Sequence, residues 1–563
     1  MNNVRLLLWF SLLFVLWLNI DAWMQDRQAA ARANPPPAVA QPAGAIAPAG
    51  GLADALPTVG APTLPAATPA SGDDAGLAQA APAAARTVRV VTDVLDLDLS
   101  LEGGSLVRAD LLEYPVHKRE PNTPVRLFSA ASAGALFVYQ SGLTTGQAGR
   151  EEPNHKAPFS APASEFRLGA SGDELVVPLT WTDGAGLTVK KTYTFRRGSY
   201  VVEVTYDVVN AAAEPLPFAH YAQLLRHSEP VKRSMFDVET YAFRGPAVFD
   251  GTKYRKLALD DQEDRRFTQA VTDGWVAAMQ HHFVAAIVPP AGQAYSYTLR
   301  VENQDFLLRT VGPAQVVVPG TPARFTERLF VGPKLQSQLR EAGPRLQLTA
   351  DYGKLTVLSQ PLFWLLEKVH GFVGNWGWSI IIVTLLIKLV FYKLSETSGR
   401  SMAKMRTVAP RLKAIQERYK DDREGQARAM MELYKREKIN PVAGCLPMLV
   451  QIPFFLAFYW VLLESVEMRQ APFMGWIQDL STRDPFFILP LLMGVAMYGQ
   501  FKLNPAPPDP MQAKIFAMMP VIMTVMFAWF PAGLVLYWLT NTLLSIAQQW
   551  KINRVVEAEA KKG

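Results

Sequence analysis

The stretch Trp376–Leu394 reads WGWSIIIVTLLIKLVFYKL. Crossing a bilayer takes roughly 20 mostly apolar residues, and this run meets that by length and composition. It nevertheless carries a lysine, Lys388, inside the apolar run. A charge near the bilayer centre costs about 2.5–3.5 kcal/mol on insertion scales. Thr384 stands four residues earlier and shares a helix face with Lys388. One face of this helix is therefore polar and cationic, and the rest is apolar. Two readings of Lys388 stay open. It snorkels to the cytoplasmic headgroups close by, or it faces a wet cavity built by neighbouring spans.

Upstream, Arg5 precedes an apolar run from Leu6 to Ile20. Residues 1–27 are either a cleaved signal peptide or an uncleaved anchor. Trp17 and Trp23 suit the outer interface of a retained span, so an anchor with its N-terminus inside is expected. Residues 28–86 are rich in Ala, Pro and Gly and cannot bury a core, which predicts a flexible linker.

From residue 87 to 350 the pattern has period two. Leu95, Leu97, Leu99 and Leu101 alternate with Asp96, Asp98 and Ser100, and Gly103-Gly104 follows as a turn. Leu187, Val189, Tyr193 and Phe195 alternate with polar residues, as do Tyr200, Val202, Val204, Tyr206 and Val208 with theirs. Asp183-Gly184 and Arg197-Gly198 punctuate the runs. Such strands predict an antiparallel β-sandwich. It holds no Gly-x-Ser-x-Gly and no phosphate loop. His117, Glu203 and Asp207 read as surface or strand-polar groups, and His281-His282 as a loop or strand edge. A sugar-binding cleft stays open. A single cysteine, Cys445, excludes an intramolecular disulfide. No metal-ligand spacing is visible, and no cofactor or catalytic residue is expected.

Residues 355–371 form an amphipathic pattern, with Pro361 suited to a helix start and an apolar face from Leu362 to Val369. This predicts an interfacial helix on the periplasmic side. The second span is 374–395. Residues 396–440 hold the densest positive charge of a chain whose net charge is +6. Arg400, Lys404, Arg406, Arg411 and Lys413 belong to that region, which the positive-inside rule places in the cytoplasm. Met402, Met405, Val408, Leu412, Ile415 and Tyr419 recur at helical spacing, then Met430, Met431 and Tyr434, predicting a helical hairpin. It reads as a solvated hairpin drawn to anionic lipids, or as a docking arm for a nascent chain or another cytoplasmic partner. No aromatic platform supports specific nucleic-acid binding.

Residues 441–552 contain spans three to six. Val442–Leu463 carries Gln451 and Pro453 mid-run, Pro485–Phe501 is the fourth span, and two short runs between Lys514 and Gln549 flank Phe530–Gly533. Short spans imply local bilayer thinning. The fold class expected is an α-helical polytopic membrane core of six spans, both termini cytoplasmic, plus a large periplasmic all-β domain. A short cytoplasmic tail, 553–563, follows. Thr384, Gln451, Thr524, Thr540, Asn541, Thr542 and Ser545 are the uncharged polar residues of the spans, with Tyr498, Gln500 and Tyr537 added. No Asp, Glu or His sits deep in a span, which argues against an ion-coupled pump. Ser379 is nine residues from Lys388, too far along one helix to form a hydrolytic pair. A cationic, hydrogen-bonding surface in a thinned bilayer remains, suited to transient binding of a polar segment in transit.

The stretches SMAKMR (401–406), NPVAGCLPMLVQIPFFLAFYWVL (440–462), EMRQAPF (467–473), DPFFILPLLMG (484–494), DPMQAK (509–514) and FPAGLVLYW (530–538) resemble the YidC membrane-protein insertases, the bacterial branch of the Oxa-type family. The resemblance covers the whole membrane part. Anchor, linker and β-domain resemble the Gram-negative form, which implies an inner-membrane location and a supersandwich for the β-domain. It further implies a hydrophilic groove open to lipid and cytoplasm and closed outside. Lys388 stands at the family's groove arginine, keeping the charge but not the planar donor geometry. Thr384 and Tyr537 match groove-lining positions, and Trp538 stands where a second tyrosine is common. The groove set expected is Lys388, Thr384, Gln451, Pro453, Tyr537 and Trp538. Lys393 replaces a common proline. The implied partners are nascent membrane proteins, the Sec translocon with its accessory subunits, a ribosome or targeting receptor, and membrane lipids. The implied activity is insertion and chaperoning, not catalysis. The alternatives are a polytopic transporter with an exported ligand-binding domain, or an anchored hydrolase acting through the β-domain.

Overall fold

The computed structural model describes residues 52, 56–57, 87–146, 150–229, 242–420, 422–437, 446–503 and 510–562. The expected anchor and nearly all of the linker lie outside the described residues. Leu52 is the exception of interest: it is buried with Val138, Leu225 and Leu307 against the β-domain.

Residues 87–333 form two sheets, one eleven-stranded and one eight-stranded among the described residues. In the larger, Leu216–His227 pairs with Phe137–Thr144 on one side and Asp305–Val311 on the other, both antiparallel. The smaller runs in the order Tyr254–Lys256, Gly245–Phe249, Trp275–Met279, Phe283–Val288, Ala323–Pro333, Val201–Asn210, Leu187–Arg196 and Glu174–Thr182. The alternation explains the layering. Along Leu187–Arg196 the residues Leu187, Val189, Lys191, Tyr193 and Phe195 point inward, while Thr188, Lys190 and Arg196 are exposed. Asp96 and Asp98 point outward, where Arg108 bridges them. The turn at Gly103 requires glycine: its φ is +68°, and a Cβ there would stand 2.2 Å from the His155 backbone.

One inward position breaks the apolar rule. Lys191 is fully buried, and its ammonium donates to the carbonyls of Gly103 (2.9 Å), Gly104 (3.0 Å) and Ser141 (3.2 Å). Burial pushes its pKa down to about 7, and the more distant Glu327 only partly opposes this. The folded state therefore binds fewer protons than the unfolded chain between about pH 7 and the ordinary lysine value of 10.5. Stability rises with pH across that window and is lost as pH falls toward 7. Lys191→Met is expected to remove this rise. Thermal unfolding of parent and variant from pH 7 to 9.5 checks it, and an unchanged slope would contradict the assignment.

The helices are α1 (Gln336–Ala342), α2 (Thr356–Val373), α3 (Trp376–Val390), α4 (Tyr392–Thr407), α5 (Ala409–Arg418), α6 (Arg423–Arg436), α7 (Leu446–Glu464), α8 (Ile488–Leu503), α9 (Pro510–Phe527) and α10 (Ala532–Lys562). Helix α2 starts at Thr356, five residues before the expected Pro361. Pro361 is accommodated in its second turn because the Val357 carbonyl it leaves unbonded belongs to a residue that is 84% exposed.

Among the described residues no single helix is long and apolar enough to cross a membrane alone. The pair Trp376–Val390 and Tyr392–Met405 meets that test together, but bends by 70°. The expected second span 374–395 is thus divided at Phe391. Its α3 portion has 15 residues, about 22 Å of rise, against a hydrocarbon core of about 30 Å. The helices leave large apolar side chains bare: Leu386, Leu389 and Val390 on α3, Leu491, Leu492 and Val495 on α8, and Ile515, Val521 and Val525 on α9. Such a surface is tolerable only in an apolar medium or against a partner.

The β-domain is bonded to the helical part. Lys256 pairs with Asp351, Lys118 Nζ donates to the Gln478 carbonyl (2.7 Å), and Arg469 donates to the Pro115 carbonyl (2.8 Å).

A cationic cleft among the helices

Helices α3, α7 and α10, with the start of α4, line a partly open cleft of about 20 Å³, room for about one water molecule. Thr384, Lys388, Gln451 and Tyr537 all line it, together with Phe391, Phe454 and Asn541. Lys388 Nζ donates to Ser545 Oγ at 2.7 Å, and Ser545 Oγ donates to its own helix at the Asn541 carbonyl, 2.7 Å. Gln451 Nε2 donates to Asn541 Oδ1 at 2.7 Å. Thr384 Oγ1 donates to the Ile380 carbonyl at 2.6 Å, which leaves its oxygen able to accept. Lys388 therefore takes the inward of its two readings: its head points at α10. No carboxylate lines the cleft among the described residues.

Pro453 and Trp538 do not line it. Trp538 packs edge-on to Phe455, ring centroids 4.6 Å apart, and against Phe527 at 5.1 Å, on the apolar side of the bundle. Tyr537 stays on the cleft side, its ring held by Phe458 at 4.7 Å. Ser545 and Asn541 were visible as polar span residues without a role. Tyr537, Asn541 and Ser545 follow one another at intervals of four, which places all three on one stripe of α10, the signal that marks them.

The division at Phe391 has no Pro or Gly to cause it. It is set from outside the helix. Phe391 packs on Phe454 at 5.0 Å, and Gln548 Nε2 of α10 donates to the Tyr392 carbonyl at 3.2 Å. Farther along, Ala403 of α4 packs on Ile552 and Val556 of α10. Gly399 permits this approach, since a Cβ there would meet Ile552 Cδ1 at 2.7 Å.

The basic region is three helices rather than a two-helix hairpin. Pro410 opens a new helix after Val408, so α4 separates from the α5–α6 hairpin. Val408, Leu412 and Leu433 form its seam, with Met405, Ile415, Met430 and Tyr434 packed beside them; Met431 is exposed. Arg400 and Lys404 lie on α4, Arg411 and Lys413 on α5. Arg406 falls in α4, its side chain outside the described set. Arg400 pairs with Glu396 (3.2 Å) and Arg411 with Glu437 (2.7 Å), while Lys404 and Lys413 are exposed. His281 and His282 do lie in a turn, between Trp275–Met279 and Phe283–Val288, but they are buried and stacked 3.8 Å apart.

A model of the 60Kd inner membrane protein family matches residues 368–560, and one of the YidC periplasmic domain matches residues 87–365. A membrane protein insertase YidC from Thioalkalivibrio sulfidiphilus (strain HL-EbGR7) is 48% identical over 576 residues, covering all of both chains. The chain belongs to the YidC family. A second YidC, from Nitrosococcus oceani, is 45% identical over 99% of this chain and 100% of its own length. A crystal structure of an active YidC insertase with its first transmembrane domain resolved covers 83% of this chain and 92% of its own, at 19% identity and a TM-score of 0.36. The two-sheet domain is thus the periplasmic domain of a YidC protein, and the cleft lies in the 60Kd inner-membrane part.

Proposed function

We propose that the chain is a membrane-protein insertase and folding chaperone of the inner membrane. The single observation carrying this is a hydrogen-bonded cation, Lys388 on Ser545, inside a cleft between short helices whose outer faces are bare and apolar. In this reading the core has six spans with both termini cytoplasmic, the first being residues 1–27. Helices α4, α5 and α6 form the arm that receives a hydrophobic nascent chain. Lys388, Thr384, Gln451 and Tyr537 host its polar outer segment within the membrane. Short helices thin the bilayer and shorten that segment's apolar crossing. The bare faces of the spans let the new helix pass into lipid. The periplasmic domain serves as scaffold and docking surface for the Sec translocon; the exposed Lys404 and Lys413 offer contacts to a ribosome or targeting receptor. No bond is made or broken in this scheme, so no catalytic residue or cofactor enters it.

The test is complementation. The intact chain, expressed in an insertase-depleted Gram-negative host, is expected to restore growth and the insertion of a small phage coat protein. A properly assembled chain that restores neither would remove the reading.

A further inference from the structure

We infer that the outer face of the larger sheet is a docking site for the chain's own linker, with Leu52 as the side chain that holds it there. By composition residues 28–86 have almost nothing to bury. Leu52 is nonetheless only 7% exposed, and Pro57 is buried as well, while Leu56 beside it stays exposed. The leucine meets Val138, Leu225 and Leu307, with Val107 and Leu136 packed alongside. The pairing register puts Val138, Leu225 and Leu307 in one row across three neighbouring strands.

This row faces away from the sandwich core. Side chains alternate along a strand, and the adjacent Tyr139, Leu224 and Phe306 belong to the core between the two sheets. Apolar side chains on the outer face of a sheet are left to water unless something covers them. Leu225 and Leu307 are nevertheless each 1% exposed. The buried residue set against them from outside the sheets is Leu52. Polar rows bound the site on both sides. On one, Gln223 Nε2 donates to Gln140 Oε1 (2.7 Å) and Arg309 Nε to Gln223 Oε1 (2.7 Å). On the other, His227 Nδ1 lies 2.7 Å from Asp305 Oδ1. The apolar strip is one row wide, which fits a single leucine of a short segment and not the broad apolar face of a partner helix.

The docking divides the linker. Leu225 adjoins Arg226, which lines a cavity together with Gln470 and Thr482 of the segment between α7 and α8, so the site lies at the end of the β-domain that meets the helical part. Fully extended, the chain from residue 27 to Leu52 spans at most about 90 Å, where the chain from 27 to Thr87 would span about 215 Å. With residues 1–27 as the first span, the docked leucine more than halves the reach of that span from the β-domain. This consequence rests on the reading of residues 1–27 proposed above; the docking does not.

Photo-cross-linking of the full chain in membrane vesicles tests it, with p-benzoylphenylalanine in place of Leu136, beside the row. Trypsin cuts after Arg32 and Arg86, so the linker leaves as one peptide, Ala33–Arg86. Irradiation is expected to join the probe to that peptide within one chain, with fragment ions placing the bond at or next to Leu52. Leu52→Asp should cut the yield at least about tenfold, because it loses the buried leucine and brings a charge onto an apolar row. Leu52→Met keeps the apolar volume and should retain most of the yield. Leu52 lies outside both sheets, so the β-domain folds in either variant, as near-ultraviolet circular dichroism checks. The same probe at Val176, exposed on the smaller sheet, should give no linker product. No linker product from position 136, an unchanged yield in Leu52→Asp, an equal yield from position 176, or a product formed only between two chains would each overturn the proposal. Removal of residues 1–27 by cleavage would end the tether's consequence and leave the cross-link. Coat-protein insertion is a separate readout, so this result and the insertase reading can fail independently.

Discussion

Cells relying on a Lys388→Glu variant are expected to lose coat-protein insertion by more than tenfold while the variant still assembles. The reason lies in what the cleft offers. Lys388 is the cation on its wall, donating to Ser545 at 2.7 Å, and the remaining polar groups are the amides and hydroxyls of Gln451, Asn541 and Thr384. Two unit charges about 4 Å apart interact by about 4 kcal/mol at an effective dielectric of 20. Reversing the sign turns that attraction for an acidic client segment into repulsion. Lys388→Ala removes the attraction without adding repulsion and should fall between. Lys388→Arg should retain insertion, because charge is kept. Pulse-labelling of the coat protein with protease accessibility from outside reads all three. If Lys388→Glu inserts as well as the parent, the cleft's amides rather than its charge carry the client.

The second large effect is expected in the periplasmic domain. Trp275 is fully buried, stacked on Phe249 and tilted against Tyr254, with ring centroids 5.9 Å from each. Its Nε1 donates to the Pro344 carbonyl at 2.9 Å, tying the sandwich to the segment that leads into α2. Trp275→Ala is expected to lower the stability of this domain by about 3–5 kcal/mol, the usual cost of emptying so large a buried site. Urea unfolding followed by near-ultraviolet circular dichroism measures it. A shift under about 1 kcal/mol would mean that the surrounding strands collapse into the space. Coat-protein insertion should survive, since the cleft is built without a residue from this domain.

Much of this architecture is readable from residue pattern alone, for a physical reason. A sheet with one face buried imposes period two, and Leu187, Val189, Tyr193 and Phe195 declare it. A polar residue inside an apolar helix must find a partner, so Lys388, Thr384, Gln451 and Tyr537 stand out among the polar span residues; it is the family resemblance that groups them into one groove, together with Pro453 and Trp538, which do not line the cleft. What escapes the reading is what distant residues decide. The division at Phe391 depends on Gln548, 156 positions away, and no local breaker announces it. Trp538 is adjacent to Tyr537, yet faces Phe527 instead of the cleft, because successive helical residues point about 100° apart. The burial of His281 and His282 follows from the packing of the helical part over their turn, a contact across 182 positions in the case of Leu463 on α7.

The pairing of Lys388 with Ser545 spans 157 positions of chain. At about 5–20 residues per second, synthesis delivers the second partner roughly eight to thirty seconds after the first. For that interval the lysine lacks its acceptor, and the Tyr392 carbonyl lacks the glutamine that bonds it. A copy cut short before α10 would keep the bare apolar faces of α3, α8 and α9 and lack Tyr537, Asn541 and Ser545, the residues that complete the cleft and hold Lys388.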